Sequence, residues 1–247
     1  MGLRKFINFN VRVSNYIESF FTPHDKDCSN ILLEFFDMFN KGSKIADVGG
    51  GKKPAKATLK RERMQVKCYD GFDIDLNELD LAKRYYTNIS KVDLTESLPS
   101  NIAAKYDFIV CRNTLEHVDD VRASVENLAG MLVKGGKLYL KLPCRHALFA
   151  KLNLALPQGF KKKVLHFIYP HKAGDGFRVY YDKSTPAELS KILGENGLDI
   201  EKLRLNKYSS YFAFFFPFYF IWRIVSCVQN RLVDDYCESF EVVAKKL

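Results

Sequence analysis

With 247 residues, 47% of them hydrophobic, the chain can close one substantial core, and a single α/β domain is the simplest organisation. Its 38 lysines and arginines against 29 acidic residues give a formal charge of +9, which favours acidic partners (nucleic acid, an anionic membrane face or phosphorylated substrates), although solvated lysine faces account for much of it. The six cysteines, at 28, 68, 111, 144, 227 and 237, form no C-x-x-C pair and no metal-ligand spacing, which argues against a disulfide scaffold and for a reduced, cytoplasmic protein.

The first ten residues carry Arg4 and Lys5 but no long apolar stretch, so no secretory signal is expected, and Phe6 stands where N-myristoylation wants Ser or Thr. Over 3–39, apolar residues recur at helical spacing (Phe6, Ile7, Val11, Ile17, Phe20, then Ile31, Leu32, Phe35, Phe36), with Pro23 dividing two helices. They would seal one sheet face; a basic, aromatic first turn also suits a membrane surface.

Lys44-Ile45-Ala46-Asp47-Val48 then runs into Gly49-Gly50-Gly51, the pattern of a buried parallel strand entering a ligand-binding turn. Glycines there permit positive φ and a close approach by a ligand. Further strands are expected near 66–72, 88–92, 106–111 and 137–142, with helices near 54–63, 77–85 and 120–133 and Gly135-Gly136 as a helix stop. Alternating strands and helices imply a parallel sheet, whose ligands bind at the carboxyl ends of the strands. One crevice should therefore collect Asp47, Gly49, Gly51, Asp73, Asp93 and residues 113–117. Asp73, about 20 residues past the glycines, stands where such folds place a ribose-hydroxyl acceptor. Asp75 is the better helix N-cap, which leaves Asp73 free.

As an ordered set, Asp-x-Gly-x-Gly at 47–51, Gly-Phe-Asp at 71–73, Asp93, Leu-Glu-His-Val at 115–118 and Val-Lys-Gly-Gly-Lys-Leu at 133–138 resemble the class I S-adenosylmethionine (SAM)-dependent methyltransferases. The resemblance covers about 45–143 and continues more faintly to the C-terminus. It implies a Rossmann-like α/β fold: a seven-stranded, mostly parallel sheet with helices on both faces and the last strand antiparallel. It implies SAM as cofactor, with Asp47, Gly49, Gly51, Asp73, Ile74, Asp93, Leu94 and Asn113 around it. Asp73 would take the ribose diol and Asp93 the adenine, while Asp47 would organise the glycine turn. One departure is Lys53, where the family usually has another glycine; its ammonium could meet the cofactor carboxylate. Residues 1–43 would form a helical cover, and 44–247 the methyltransferase domain with an acceptor-binding cap near 145–182.

The Leu-Glu-His-Val segment also resembles the ubiquinone-biosynthesis O-methyltransferases, in which a Glu-x-x-Glu-His arrangement is implicated in metal binding. Here its first position is Asn113, so no metal site is expected. His117 is a candidate general base toward a hydroxyl, and His146 a second; alternatively Glu116 and His117 only orient the loop and the cofactor.

Within the cap, 158–169 sets Lys161, Lys162 and Lys163 among aromatics, which suits an acidic acceptor or a lipid headgroup layer. Ser184-Thr185-Pro186 reads as a helix start. Residues 211–228 are apolar over almost a full helical circumference. A membrane crossing is excluded, because strands near 200–207 and 239–244 return both ends to one sheet. A helix packed on the sheet, a face dipped into one membrane leaflet or a homodimer interface remain, with peripheral membrane contact favoured. The expected reaction is methyl transfer to a hydroxyl of a small-molecule, glycan or lipid-linked acceptor at the membrane. Nucleic acid is less expected, since Arg112-Asn113-Thr114-Leu115 replaces the Asn/Asp-Pro-Pro-aromatic motif of base methyltransferases, although RNA ribose chemistry stays open. A non-catalytic scaffold on the same fold is the other alternative.

Overall fold

The computed structural model describes residues 2–21, 30–61, 64–157, 159, 178–207, 209 and 211–247. Helices α1 (Leu3–Phe21) and α2 (Ile31–Asp37) precede β1 (Lys44–Val48), and Pro23 lies outside the described residues. The chain continues through α3 (Ala55–Thr58), β2 (Cys68–Asp73), α4 (Leu76–Asp80), β3 (Ile89–Lys91), β4 (Tyr106–Arg112), α5 (Val121–Met131) and β5 (Leu132–Pro143). It ends with α6 (Leu148–Ala155), α7 (Pro186–Glu195), β6 (Leu198–Asn206), α8 (Phe216–Leu232) and β7 (Ser239–Lys246).

The seven strands form one sheet in the order β3-β2-β1-β4-β5-β7-β6. Neighbours from β3 to β5 run parallel, and β7 lies antiparallel to both β5 and β6. The order reverses between β1 and β4, and such a switch point opens a crevice at the carboxyl edge. Because side chains alternate across a pleated strand, each central strand feeds two cores. Ile109, Leu138 and Val242 pack with Val125 of α5 and Leu189 of α7 on one face; Val110, Tyr139 and Val243 pack with Phe35 of α2 and Leu79 of α4 on the other.

Six strands lie within two residues of expectation, and β5 does not. Gly135-Gly136 does not stop a helix: α5 ends at Met131, Leu132 is already extended (φ −76°, ψ 141°), and the glycines lie inside β5. Gly135 adopts φ +77°, and a Cβ on Gly136 would lie 2.9 Å from the Val133 carbonyl, so they form an irregularity where the β4 register shifts between Tyr106 and Phe108. The helix expected at 54–63 is one turn, α3, with Lys60 at φ 55° just beyond it. The helix expected at 77–85 divides into α4 and a 3-10 turn at Lys83–Tyr85. Thr185 caps α7 through its side chain, with Pro186 in the first turn.

The two N-terminal helices separate in role. Helix α2 closes a sheet face, whereas α1 packs along α8. The apolar stretch at 211–228 is not one helix: 211–214 turns, and α8 starts at Phe216 with Pro217 in its first turn. No described helix is long and apolar enough to cross a membrane. The basic, aromatic stretch at 158–169 lies outside the described residues apart from Gly159.

Candidate functional site

At the end of β1 the Asp47 carboxylate is buried, and its Oδ2 accepts from the Ala55 N–H (2.8 Å) and the Tyr69 hydroxyl (2.6 Å). It thereby closes the turn onto α3. Burial raises its pKa, opposed by the Arg112 guanidinium and these two hydrogen bonds. Gly49 (φ +70°) donates to the Phe72 carbonyl (2.7 Å), and a Cβ there would stand 2.0 Å from Thr114 Oγ1. Gly51 takes φ +45°, which favours glycine, and a Cβ there would lie 3.4 Å from Asp73 Oδ2 on the next strand. The Tyr86 hydroxyl donates to the Gly51 carbonyl (3.2 Å), and Arg112 Nη2 donates to the Lys53 carbonyl (3.0 Å). Tyr69, Tyr86 and Arg112 thus hold the glycine turn from three sides. No motif in the sequence singled out these three for that role. The Lys53 side chain is exposed.

Asp73, half-buried at the end of β2, uses Oδ1 to accept from the Asp75 N–H (3.0 Å) and turns Oδ2 toward Gly51. Burial raises its pKa, with Glu78 and Asp75 adding to the rise and the Asp75 N–H opposing it. Asp75 caps α4 by accepting from the Asn77 N–H (2.9 Å). Ile74 is 52% exposed beside Asp73, an apolar side chain left open at the crevice. Asp93 Oδ1 accepts from both the N–H and the hydroxyl of Thr95 (2.9 and 2.7 Å), so Oδ2 is the oxygen left to a ligand. Leu94 puts its side chain into the core and its carbonyl onto Asn127 Nδ2 (2.7 Å), so a ligand would meet its backbone. Asn113 (φ 51°) turns the chain out of β4, its N–H donating to the Lys141 carbonyl (2.8 Å). All these residues follow the carboxyl ends of β1, β2, β3 and β4 and flank the switch point. A glycine cradle with no room for a side chain at Gly49, beside a carboxylate aimed at Gly51, fits a nucleoside whose ribose hydroxyls need an acceptor.

The 3-10 turn Leu115–His117 lies beyond Asn113. Glu116 is 5% exposed, its Oε2 has no hydrogen-bond partner, and burial pushes its pKa up to about 8. His117 Nδ1 lies 2.7 Å from the Arg178 carbonyl, which can only accept, so Nδ1 carries the hydrogen and Nε2 the lone pair. Burial lowers the His117 pKa below its ordinary 6.5, so the imidazole is neutral at pH 7, with Nε2 3.9 Å from Glu116 Oε1. The N–H groups of Tyr180 and Tyr181 donate to the Glu116 carbonyl (2.8 and 3.2 Å) and fasten this segment to the turn. Tyr181 joins Phe149 and Phe212 in an apolar cluster, and Phe149 stacks on Tyr211 at 4.4 Å. An aromatic cluster is therefore tied to the backbone of the 115–117 turn. His146 stands half-buried in the turn between β5 and α6. Among the described residues no three His, Cys, Asp or Glu side chains are grouped to hold a metal ion.

Residues 22–203 match a family model described as a methyltransferase domain. Among curated proteins, the chain is 23% identical over 180 residues to an uncharacterised protein of Methanocaldococcus jannaschii, covering 70% of this chain and 45% of that one. It is 30% identical over 168 residues to the ubiquinone biosynthesis O-methyltransferase of Xanthomonas axonopodis pv. citri, covering 65% of this chain and 64% of that one. The chain thus spans less than two thirds of the length of either relative. A putative methyltransferase of Bacillus halodurans has a similar fold, with a TM-score of 0.54, 14% identity and coverage of 87% and 98% of the two chains. Geranyl diphosphate C-methyltransferase of Streptomyces coelicolor, determined with Mg2+, geranyl-S-thiolodiphosphate and S-adenosyl-L-homocysteine, gives 0.56 at 10% identity, covering 88% and 74%. With the family pattern spanning more than half of the sequence and the same sheet beneath it, the chain belongs to the class I SAM-dependent methyltransferases.

Proposed function

We propose that the protein transfers a methyl group from SAM to a hydroxyl oxygen of an amphipathic acceptor, with His117 as general base. Bound SAM supplies a methyl carbon activated by its sulfonium, so the chain's own residues must grip, align and manage one proton. Asp73 would accept from the ribose hydroxyls, Gly49 and Gly51 would admit the backbone-close portion, and Asp93 and Ile74 would meet the adenine. Asp47 acts through the turn it closes.

When bound, SAM would supply a methyl carbon for the acceptor oxygen, with the carbon–sulfur electron pair staying on sulfur, and His117 Nε2 would receive the hydroxyl proton. Nδ1 holds its hydrogen toward the Arg178 carbonyl, which puts the basic lone pair of the ring on Nε2. The imidazolium so formed would stand near Glu116, whose buried carboxyl it would draw toward ionisation. The observation that carries this reading is a neutral histidine, its Nδ1 held by the Arg178 carbonyl, on a turn tied to an aromatic cluster and at the same sheet edge as the Gly51–Asp73 cradle. Oxygen as the target is supported by the similarity to ubiquinone biosynthesis O-methyltransferases. A lipid-linked acceptor suits Phe149 and Tyr211 better than a polysaccharide sugar, which brings no apolar part.

The test supplies methyl-tritiated SAM to the protein with a lipid extract, a polysaccharide fraction or total RNA. Label should enter the lipid fraction, and His117→Gln should cut the rate about 10²–10⁴-fold without changing SAM affinity. Label in RNA, or a parent protein that binds no SAM, would refute the proposal; the latter result would favour a scaffold.

A further inference from the structure

Helices α1 and α8 share a largely polar seam and carry apolar side chains on their outer faces. The positions α1 buries are Asn10, Ser14 and Glu18, and those α8 buries include Arg223 and Ser226 beside Tyr219 and Trp222. Their seam is held by polar contacts. Asn10 Oδ1 accepts from the Phe216 N–H (3.0 Å), and Ser14 Oγ donates to the Ala213 carbonyl (3.1 Å). Arg223 pairs with Glu18 through Nε (2.7 Å) and Nη2 (2.9 Å), and the Tyr219 hydroxyl donates to the same carboxylate. Val11 and Ile17 of α1 pack inward against Tyr219 and Trp222, but a second set of apolar side chains points outward: Phe9, Tyr16 and Phe20 on α1, and Ile221, Ile224 and Val228 on α8, are each 46–68% exposed. In water an amphipathic helix buries its apolar stripe and shows polar residues, whereas this pair leaves a second apolar stripe uncovered.

Charge narrows what covers this face. Arg4, Lys5 and Arg12 of α1 and Arg231 of α8 are exposed, while the only carboxylate on either helix, Glu18, is buried against Arg223. A second copy of the chain would bring the same cations face to face. An anionic lipid surface instead meets the cations with headgroups and the aromatics and isoleucines with acyl chains. No described helix can cross a bilayer, so the pair would lie in one leaflet. We infer that the outward face of α1 and α8 is a docking surface for an anionic lipid bilayer, a property independent of the chemistry at the crevice.

The experiment is flotation of the full chain with vesicles of phosphatidylglycerol and phosphatidylcholine, or of phosphatidylcholine alone. The parent should float with the anionic vesicles and be released by high salt. The Ile221→Ser/Ile224→Ser/Val228→Ser variant should show a bound-to-free ratio at least about tenfold lower. Leu81→Ser, which removes an exposed leucine at the end of α4, should float like the parent. Hydrogen–deuterium exchange of the parent should slow within 3–20 and 216–232 only when anionic vesicles are present, and this measurement decides if the triple variant loses its far-ultraviolet dichroism. A parent that stays unbound would overturn the inference. So would a triple variant that floats normally, or a parent dimer in vesicle-free buffer that the triple substitution converts to a monomer while the parent binds no lipid.

Discussion

Glu116→Gln isolates the thermodynamic signature of one buried carboxyl. In the folded chain burial lifts this group from its ordinary 4.5 to about 8. A carboxyl raised in this sense binds more protons folded than unfolded across that interval, so stability falls as pH climbs through it. Its contribution is fully present below 4.5, declines steadily, and levels off above about 8. At roughly 1.4 kcal/mol per unit, the part lost between pH 6 and pH 9 is about 2–3 kcal/mol. Glutamine has nearly the same shape and no proton to lose, so the variant should lack this slope while every other titrating group remains common to both proteins. The assay is urea unfolding of parent and variant at pH 6, 7, 8 and 9. The gap in unfolding free energy should open toward alkaline pH in favour of the variant. Parallel curves, constant to within about 0.5 kcal/mol, would refute the buried, protonated Glu116 and with it the environment assigned to His117.

Asp73→Ala should weaken SAM binding about 10²–10⁴-fold by calorimetric titration, since two hydroxyls would lose a charged acceptor worth roughly 1.5–3 kcal/mol each. An unchanged affinity would remove Asp73 from the cofactor site. Because burial lowers the His117 pKa below 6.5, kcat/KM should fall on the acid side with an apparent pKa under that value, and His117→Gln should abolish this limb. An acid limb retained in His117→Gln would instead point to His146. Gly49→Ala should destabilise the fold by about 2–4 kcal/mol in chemical denaturation, because φ +70° is combined with a Cβ 2.0 Å from Thr114 Oγ1. Glu18→Ala should cost about 3–5 kcal/mol by leaving Arg223 buried and uncompensated, whereas Glu18→Leu/Arg223→Met should recover most of that loss. If the double variant is as unstable as the single one, the seam is not held by that ion pair.

Much of the sheet could be read directly. The run at Lys44–Val48, the Gly-Phe-Asp at 71–73 and the apolar β4 and β7 are local signals, because a strand buried on both faces must be apolar along its length. The glycine turn was legible for the same reason: positive φ and close packing tolerate few other residues. Gly135-Gly136 misled because a glycine pair serves a helix end and a strand irregularity equally well, and only the pairing of β5 with β4 separates the two.

By itself the sequence determined the order of strands and helices, the carboxylates at the strand ends and the family, since each is written in residue type and spacing along the chain. Only the tertiary structure decided that Nδ1 of His117 faces the Arg178 carbonyl, that Glu116 lacks a partner for Oε2, and that Tyr69, Tyr86 and Arg112 hold the glycine turn. It also decided that α1 and α8 bury Glu18 and Arg223 in their seam while Phe9, Tyr16, Phe20, Ile221, Ile224 and Val228 stay exposed. The physical reason is one of range: periodicity reports which side of a helix is apolar, but burial and hydrogen-bond partners depend on residues as far apart as Glu18 and Arg223, which meet only once the sheet between them has formed.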